Sequence, residues 1–397
     1  MSDEQPGTVN EQSPNGNTKK RNHLILKIIL ILLTMGLATF FYWFFVLRFQ
    51  QSTDNAYVDG NAVMLMSPQD GIVVAIYADN TQYVEQGQLL VELDTILYQL
   101  TFNKAQVDLA LAARQVKQMW EDVQQRKADV LLREAEVTRT QQDYDNRYGL
   151  KGTQAISKED LTHAEADLAV SKANLNLAQH QLDSAKASLG SPPYEQQPII
   201  QNAKIALRNA YIQLQRCEIL APVSGIVAQR TVQVGEFITT ARTLMSIIPT
   251  DQIWINANFK ETQLSPLRIG QPVRIKSDVY GSKAIFNGKV QGIVAGTGSV
   301  FSLIPPQNAT GNWIKIVQRV PVRISLDPEE LKKHPLFLGL SNYVTIDIRN
   351  QEGLRLSDHP IFTPRFSTPV FDVSMRPVDD LIEKILKHNL NIPQEAQ

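Results

Sequence analysis

The period of the apolar positions changes several times along this 397-residue chain, and each change predicts a different kind of element. Ile28 to Val46 is an unbroken uncharged run, extended upstream by Leu24, Ile25 and Leu26 around Lys27. These 19 residues, at about 1.5 Å each, reach roughly 28 Å, close to the ~30 Å hydrocarbon core of a bilayer. The run closes in F-F-Y-W-F-F-V-L, without small residues. It therefore predicts a retained anchor rather than a cleaved signal peptide, with Tyr42 and Trp43 at the far interface. Lys19, Lys20, Arg21 and Lys27 precede the span and only Arg48 follows closely. The positive-inside bias thus predicts a cytoplasmic N-terminus.

Beyond the span, two short stretches match without a gap at an offset of 154 residues. They are S-P-Q-D-G-I-V-V (67–74) and A-P-V-S-G-I-V-A (221–228). Pro68 pairs with Pro222, Gly71 with Gly225, Ile72 with Ile226 and Val73 with Val227. The same offset pairs Val84 with Ile238, Leu90 with Leu244 and Leu93 with Ile247. A turn followed by spaced apolar strand positions, occurring twice, predicts two halves of one small β-domain. Neither half buries its apolar face alone, so the halves meet in space and bring Asp94 near Leu220.

Between the halves the period becomes helical. Phe102, Leu109, Val116, Val123, Val130, Val137 and Tyr144 recur every seven residues, while Ala105, Ala112 and Met119 give way to Arg126, Arg133 and Thr140. That is a coiled-coil seam, more polar toward its far end. Gly149 and Gly152 break it, and Ser157 with Asp160 predicts the N-cap of a returning helix. The return carries Leu161, Leu168, Leu175, Leu182 and Leu189, is interrupted at Gly190-Ser-Pro-Pro193, and resumes with Ala203, Leu207, Ala210 and Leu214. Outgoing and returning arms match in length, which predicts a hairpin closing on its own base and standing roughly 75–80 Å tall. A helical bundle packing on itself is the other reading; the polar remainder of each helix surface favours the hairpin.

After the second half, strict alternation resumes in Ile253, Ile255, Ala257 and Phe259, in Val273 and Ile275, in Val320 to Leu326, and in Val344 to Ile348. It predicts antiparallel strands forming a small barrel or a sandwich. Residues 296–313, rich in Gly, Pro and Asn, predict a loop, and Leu381, Ile382, Ile385 and Leu386 predict a short amphipathic helix near the C-terminus.

Composition narrows the function by exclusion. A net charge of −1 gives no electrostatic reason to expect nucleic acid. A single cysteine, Cys217, excludes an intrachain disulfide framework. The six histidines form no close pair at metal-ligand spacing, Ser224 lies in P-V-S-G-I rather than a nucleophile elbow, and Gly296-Thr-Gly298 lacks the third glycine of a dinucleotide fingerprint. Asn308-Ala-Thr310 matches a glycosylation tripeptide, a pattern that recurs by chance. No cofactor, metal or catalytic residue is expected.

The split β-domain resembles the lipoyl and biotinyl carrier domains, whose cofactor-bearing lysine sits in the hairpin between the halves. Here that junction is Leu93-Asp94-Thr95-Ile96 and has no lysine. Anchor, split domain, inserted hairpin and barrel together resemble the HlyD-type membrane fusion proteins, and within them the EmrA-type multidrug efflux adaptors. The stretches that carry this are Y-W-F-F-V-L-R, T-D-N-A-Y-V, N-F-K-E-T-Q with R-I-G-Q-P-V, and above all the run from Gly296 to Ile324 beginning G-T-G-S-V-F-S-L-I-P-P-Q.

The resemblance implies a membrane-anchored, multi-domain α+β chain that is not an enzyme. It would be a single-pass inner-membrane protein with its bulk in the periplasm. Its role would be the adaptor of a tripartite pump, a homo-oligomer between a major facilitator drug/proton antiporter and a TolC-like outer-membrane channel. Hydrophobic drugs would be its cargo. Adaptors that dock on such channels carry an Arg–Leu–Ser tip motif. Arg147, Leu150 and Ser157 resemble it, with the arginine one residue closer to the leucine than in the family. A tether that presents drugs without forming a conduit is the alternative. The resulting division has 1–23 as a disordered cytoplasmic tail and 24–47 as the transmembrane helix. Residues 48–95 and 218–249 form the split domain with a strand leading into the barrel. Residues 96–217 are the hairpin (tip about 147–160), 250–350 the barrel, and 351–397 a C-terminal segment with the short helix.

Overall fold

In a computed structural model of the chain, the described residues are 18–45, 47–153, 155–190, 193–298, 317–358 and 362–390, with 7, 300 and 360. They form two compact units, Met1–Ala62 with Ile248–Arg365, and Val63–Ile247 with Phe366–Gln397.

The first unit opens with α1 (Thr18–Phe45), a helix long and apolar enough to cross a membrane. It begins before the expected Leu24: Thr18 to His23 are helical, which corrects the disordered reading of 1–23 for those residues. Lys19, Lys20 and Arg21 are acceptable helix formers and no Pro or Gly separates them from the apolar run. Residues 1–6 and 8–17 of the expected tail lie outside the described residues. A 3-10 turn (Leu47–Phe49) follows, with the Arg48 guanidinium 5.2 Å from the Phe44 ring centroid and 5.4 Å from that of Phe49.

The chain then enters β1 (Gln50–Gly60), one strand of a closed antiparallel barrel. Around it run β10 (Ile253–Lys260), β13 (Arg319–Leu326), β12 (Ile285–Ile293), β11 (Pro272–Ser277) and β14 (Ser341–Asp347). The sequence left barrel and sandwich open, and β1 decides between them. It pairs with β10 on one side (Ala56 opposite Ala257) and with β14 on the other (Thr53 opposite Val344), so no edge is left free. Grouped with the split domain by sequence, β1 is thus a barrel strand. The alternating positions read from sequence, Ile255, Ala257, Phe259, Val273, Ile275, Val322, Ile324, Val344 and Ile346, all point into one core. β12 escaped the pattern because Gly288 occupies a core position between Phe286 and Val290. A short helix, α5 (Pro328–Lys333), is capped by Asp327. Most of the expected 296–313 loop, including Asn308, lies outside the described residues.

The second unit contains two four-stranded sheets. One has the order β2 (Val63–Met66), β9 (Thr243–Ile248), β7 (Gly225–Arg230), β4 (Tyr83–Val84). The other runs β6 (Glu218–Leu220), β5 (Leu89–Leu93), β3 (Gly71–Ile76), β8 (Phe237–Ile238). Shifting the first order by the repeat offset yields the second. The hydrogen bonds are reciprocal in the same way. Thr81 N–H donates to Val227 O at 2.8 Å and Gly235 N–H to Val73 O at 2.8 Å; Gly87 N–H donates to Ala221 O at 2.8 Å and Ala241 N–H to Ser67 O at 2.9 Å. Of the five apolar pairs named from the repeat, four (Val73–Val227, Val84–Ile238, Leu90–Leu244 and Leu93–Ile247) are at most 1% exposed at both partners, whereas Ile72 is 46% exposed.

The repeat also aligns backbone strain. Thr81 (φ 71°) corresponds to Gly235 (φ 83°), and Gly87 (φ 85°) to Ala241 (φ 67°). Each half keeps glycine at one left-handed position and a Cβ at the other. Removing the exposed, β-branched Thr81 relieves left-handed strain that outweighs the added chain entropy of glycine. Thr81→Gly is therefore expected to raise stability by about 1 kcal/mol, and Gly235→Thr to lower it. A shift of the denaturation midpoint in the opposite direction would refute this.

From β5 the chain passes into α2 (Ile96–Gly149), 54 residues or roughly 81 Å long. It returns through α3 (Lys158–Leu189) and α4 (Pro198–Gln215). Gly190 (φ 77°) ends α3, and Pro198 starts α4 at a position where a backbone N–H would have no intrahelical partner, so proline, which lacks one, forfeits nothing. The seam α2·α3 buries Val123, Val130, Ala178, Leu182 and Ala185. The C-terminal helix α6 (Arg376–Leu390) packs at the base, where Val378, Ile382, Leu386 and Leu390 join Leu109, Val116, Ile200 and Leu207 in one cluster. Arg208 and Asp379 close this contact at 2.7 Å. The base is thus three-helical, and the sequence located α6 without its seat.

Candidate functional site

The hairpin is built to hold its turn at the end of two long arms. The seam changes chemistry along its length. Near the base large apolar side chains meet; further out Thr140 Oγ1 and Ser171 Oγ pair at 2.7 Å, both residues buried. Each hydroxyl also meets its own helix, Thr140 at Glu136 O and Val137 O (3.1 Å each) and Ser171 at Leu168 O (2.9 Å), so neither is left unsatisfied. Arg126 reaches across the arms to Gln181 Oε1 at 3.0 Å.

The tip places the three predicted residues differently. Arg147, in the last turn of α2, forms an ion pair with Asp143 at 3.2 Å and donates to Asp160 O at 3.3 Å across the turn. Ser157 is the N-cap of α3: its Oγ accepts from Asp160 N–H at 3.1 Å and donates to Asp160 Oδ2 at 2.7 Å, while Ser157 N–H reaches the same carboxylate at 3.4 Å. Aspartate, shorter than the usual Glu or Gln, completes the capping box. Arg147 and Ser157 therefore meet through Asp160 and are committed to shaping the turn. Leu150, half exposed, presents an apolar side chain to solvent. The sequence reading missed Tyr148, also half exposed, with the Lys151 ammonium 5.2 Å from its ring centroid. An aromatic at a helix end beside a glycine was the available signal.

Removing the Ser157 hydroxyl tests this division of labour. Ser157→Ala is expected to cost about 1 kcal/mol of local helix stability, seen as faster amide exchange in the first turn of α3. The Ser157 hydroxyl and backbone N–H also hold the Asp160 carboxyl below its ordinary value of 3.8. Its capping is therefore fully present above that value and is lost as pH falls through the lower folded value.

Pro68, Gly71, Pro222 and Gly225, expected as turn residues, lie where the chain bends into β3 and β7. Gly71 and Gly225 begin β3 and β7, where each meets a strand of the opposite half: Gly71 pairs with Ile238 and Gly225 with Val84. At the junction where a carrier domain holds its lysine, Asp94 donates its N–H to Ile72 O (2.9 Å) and its carboxylate accepts Ile96 N–H (2.9 Å). A rigid helix start occupies the place of a swinging arm. Cys217 is buried, and desolvation pushes its thiol up to about 11. Among the described residues no group of three or more His, Cys, Asp or Glu is placed to hold a metal ion.

Two family models match these parts: the EMRA alpha-helical hairpin domain over residues 98–217 and the AAEA-like beta-barrel domain over 252–347. The chain is 42% identical to the multidrug export protein EmrA of Haemophilus influenzae over 97% of its own length and 98% of that protein. It is 40% identical to the multidrug export protein EmrA of Escherichia coli K12, over 96% and 98% respectively. A solved structure of the periplasmic adaptor protein EmrA aligns over 76% of this chain and 99% of that one, at 17% identity and a TM-score of 0.38. Identity of this level over nearly the full length, with hairpin and barrel each matched, makes this chain a member of the EmrA-type family of membrane fusion proteins.

Proposed function

We propose that this chain is the periplasmic adaptor of a tripartite multidrug efflux pump. α1 fixes it in the inner membrane with its N-terminus cytoplasmic. It works beside a major facilitator drug/proton antiporter and engages a TolC-like outer-membrane channel through the hairpin tip, as a homo-oligomer that encloses the path of hydrophobic drugs. The observation that carries this reading is the hairpin itself: two arms rooted in one split domain, ending in a hydrogen-bonded turn that offers Leu150 outward. An apolar side chain held on a preorganised turn suits an anchor that enters a partner's groove.

The test is a photo-crosslinker placed at position 150 in cells carrying the channel, alongside Leu150→Glu in an export assay. The expected result is a crosslink to the channel and a roughly tenfold or greater loss of export in the charged variant, the size typical of an interface anchor. Unchanged export with no channel crosslink would sink it. Purified monomers that bind drug without any channel would favour a presenting tether instead.

A further inference from the structure

Strand register defines two ends of the barrel. Gln50 pairs with Asp347, Val273 with Ile346, Pro272 with Lys289 and Lys260 with Arg319, so the start of β1 shares its end with residues 261–271, 294–298, 317–318 and 348–356. This end adjoins α1 along the chain, because just four residues, the turn Leu47–Phe49 among them, separate Phe45 from Gln50, and Ile348 N–H is bonded to Phe49 O at 2.9 Å. Among the described residues there, Arg48, Lys260, Arg268, Arg319, Arg349 and Arg355 stand against Glu261, Asp347 and Glu352. The opposite end, with loops 278–284 and 327–340, carries Asp278, Asp327, Glu329 and Glu330 against Lys283, Lys332 and Lys333. The barrel is polarised, with its basic pole beside the anchor.

Two features make that pole more than a charge imbalance. Arg268 donates to Ser265 O (2.7 Å), Leu267 O (2.8 Å) and Gln351 O (3.1 Å), and Arg355 to Ser265 O (3.0 Å). Those acceptors are neutral carbonyls, so they fix the two loops together while leaving the positive charge uncancelled. The locked loop then exposes Leu354 (51%) and Leu356 (54%) on either side of Arg355. Apolar side chains interleaved with arginine, at the level where a membrane helix leaves the bilayer, match an interface of acyl chains beneath anionic headgroups. Apart from Arg48, these cations lie far along the chain from α1, so they do not compete with the charge bias that orients it.

We infer that the basic end of the barrel docks on anionic phospholipid headgroups of the membrane that holds α1, with Leu354 and Leu356 entering the interface. The inference rests on the reading of α1 as an anchor, and the experiment separates the two. The full-length chain carries a spin label at Leu354→Cys or, on the opposite pole, at Ser282→Cys; native Cys217 is buried. Each is reconstituted in vesicles of phosphatidylcholine alone or mixed with phosphatidylglycerol. The label at 354 is expected to move from aqueous to lipid-interface accessibility in the anionic vesicles and to revert at high salt, while the label at 282 stays aqueous. Arg349→Gln and Arg355→Gln are each expected to lower the docked fraction relative to undocked about fivefold, with the 282 label reporting that the barrel is intact.

Equal accessibility at 354 in both lipids, with the chain still anchored, overturns the inference and leaves the anchor standing. Protection at 354 that appears only when the transporter shares the membrane assigns this pole to a protein and also overturns it. Release of the chain from washed vesicles sinks the anchor reading and this inference with it.

Discussion

Ile382→Asp is expected to release α6 from the hairpin, so that amides 376–390 exchange at rates near those of an unstructured peptide. Ile382 is 4% exposed and shares its cluster with Leu109, Ile200 and Leu207. The substitution forfeits about 2–3 kcal/mol of apolar burial and asks an ionised carboxylate to enter an apolar contact, which costs several kcal/mol more. What remains to hold the helix is the buried side chains of Val378, Leu386 and Leu390, the partly buried Ile385, and the Arg208–Asp379 pair. That pair is about 40% exposed at both partners and contributes no more than about 1 kcal/mol. A 15-residue helix of this kind does not persist alone in water. Lys387→Gln, on the outer face where that side chain is 81% exposed, is the control: it gives up only an i,i+4 pair with Glu383 worth a few tenths of a kcal/mol and should leave exchange nearly unchanged. Equal protection of 376–390 in both variants would show that α6 is not seated through Ile382.

The second large effect sits in the barrel. A Cβ added to Gly288 would collide with the backbone carbonyl of Ser325 on the paired strand, and would lie 3.1 Å from Ile324 Cγ2 and 3.2 Å from Ile275 Cδ1. A carbonyl held in the β12–β13 ladder moves only if the ladder moves. Gly288→Ala is therefore expected to cost more than about 3 kcal/mol, at the upper end of overpacking. Gly292, four residues along the same strand, has nothing within 4 Å of its added Cβ. Gly292→Ala is expected to fall within about 0.5 kcal/mol of the parent. Chemical denaturation followed by Trp254, whose ring carries the Arg323 guanidinium 3.6 Å from its centroid, reports on this barrel directly. Similar midpoints for the two variants would refute the steric account.

These two sites also mark where the sequence stopped speaking. Helical and strand periods carried the hairpin, the halves of the split domain and most barrel strands, because in each the apolar face is repeated often enough to set a register. Gly288 removed one beat from β12, and the strand vanished from the pattern although Phe286 and Val290 flank it in the core. α6 announced an amphipathic face, but an apolar stripe does not name its partner. The clue lay on α2: Ala113, off both heptad positions, is fully buried, a third face that a two-helix hairpin has no use for. At the tip the cap of Ser157 with Asp160 was legible, but nothing in the spacing told that Arg147 would also bond to Asp160 and leave the leucine alone outward.

The interlaced sheets have a consequence for how the chain folds. One sheet takes its inner strands from the second half and its outer strands from the first; the other sheet reverses this. Neither can be completed until residues near 248 exist: β3 can pair with β5 at once, but β2 and β4 pair only with second-half strands and must wait for a segment of about 120 residues to be made. Closing a flexible loop of that length costs on the order of 4 kcal/mol. The hairpin lowers that barrier, because a helix pair zippered from its turn downward delivers residues 94 and 220 to the same place before the two halves have paired. The mast thus guides the folding of its own mount. Substitutions that loosen the Val123–Leu182 region of the seam should then slow the assembly of a β-domain whose own contacts are untouched.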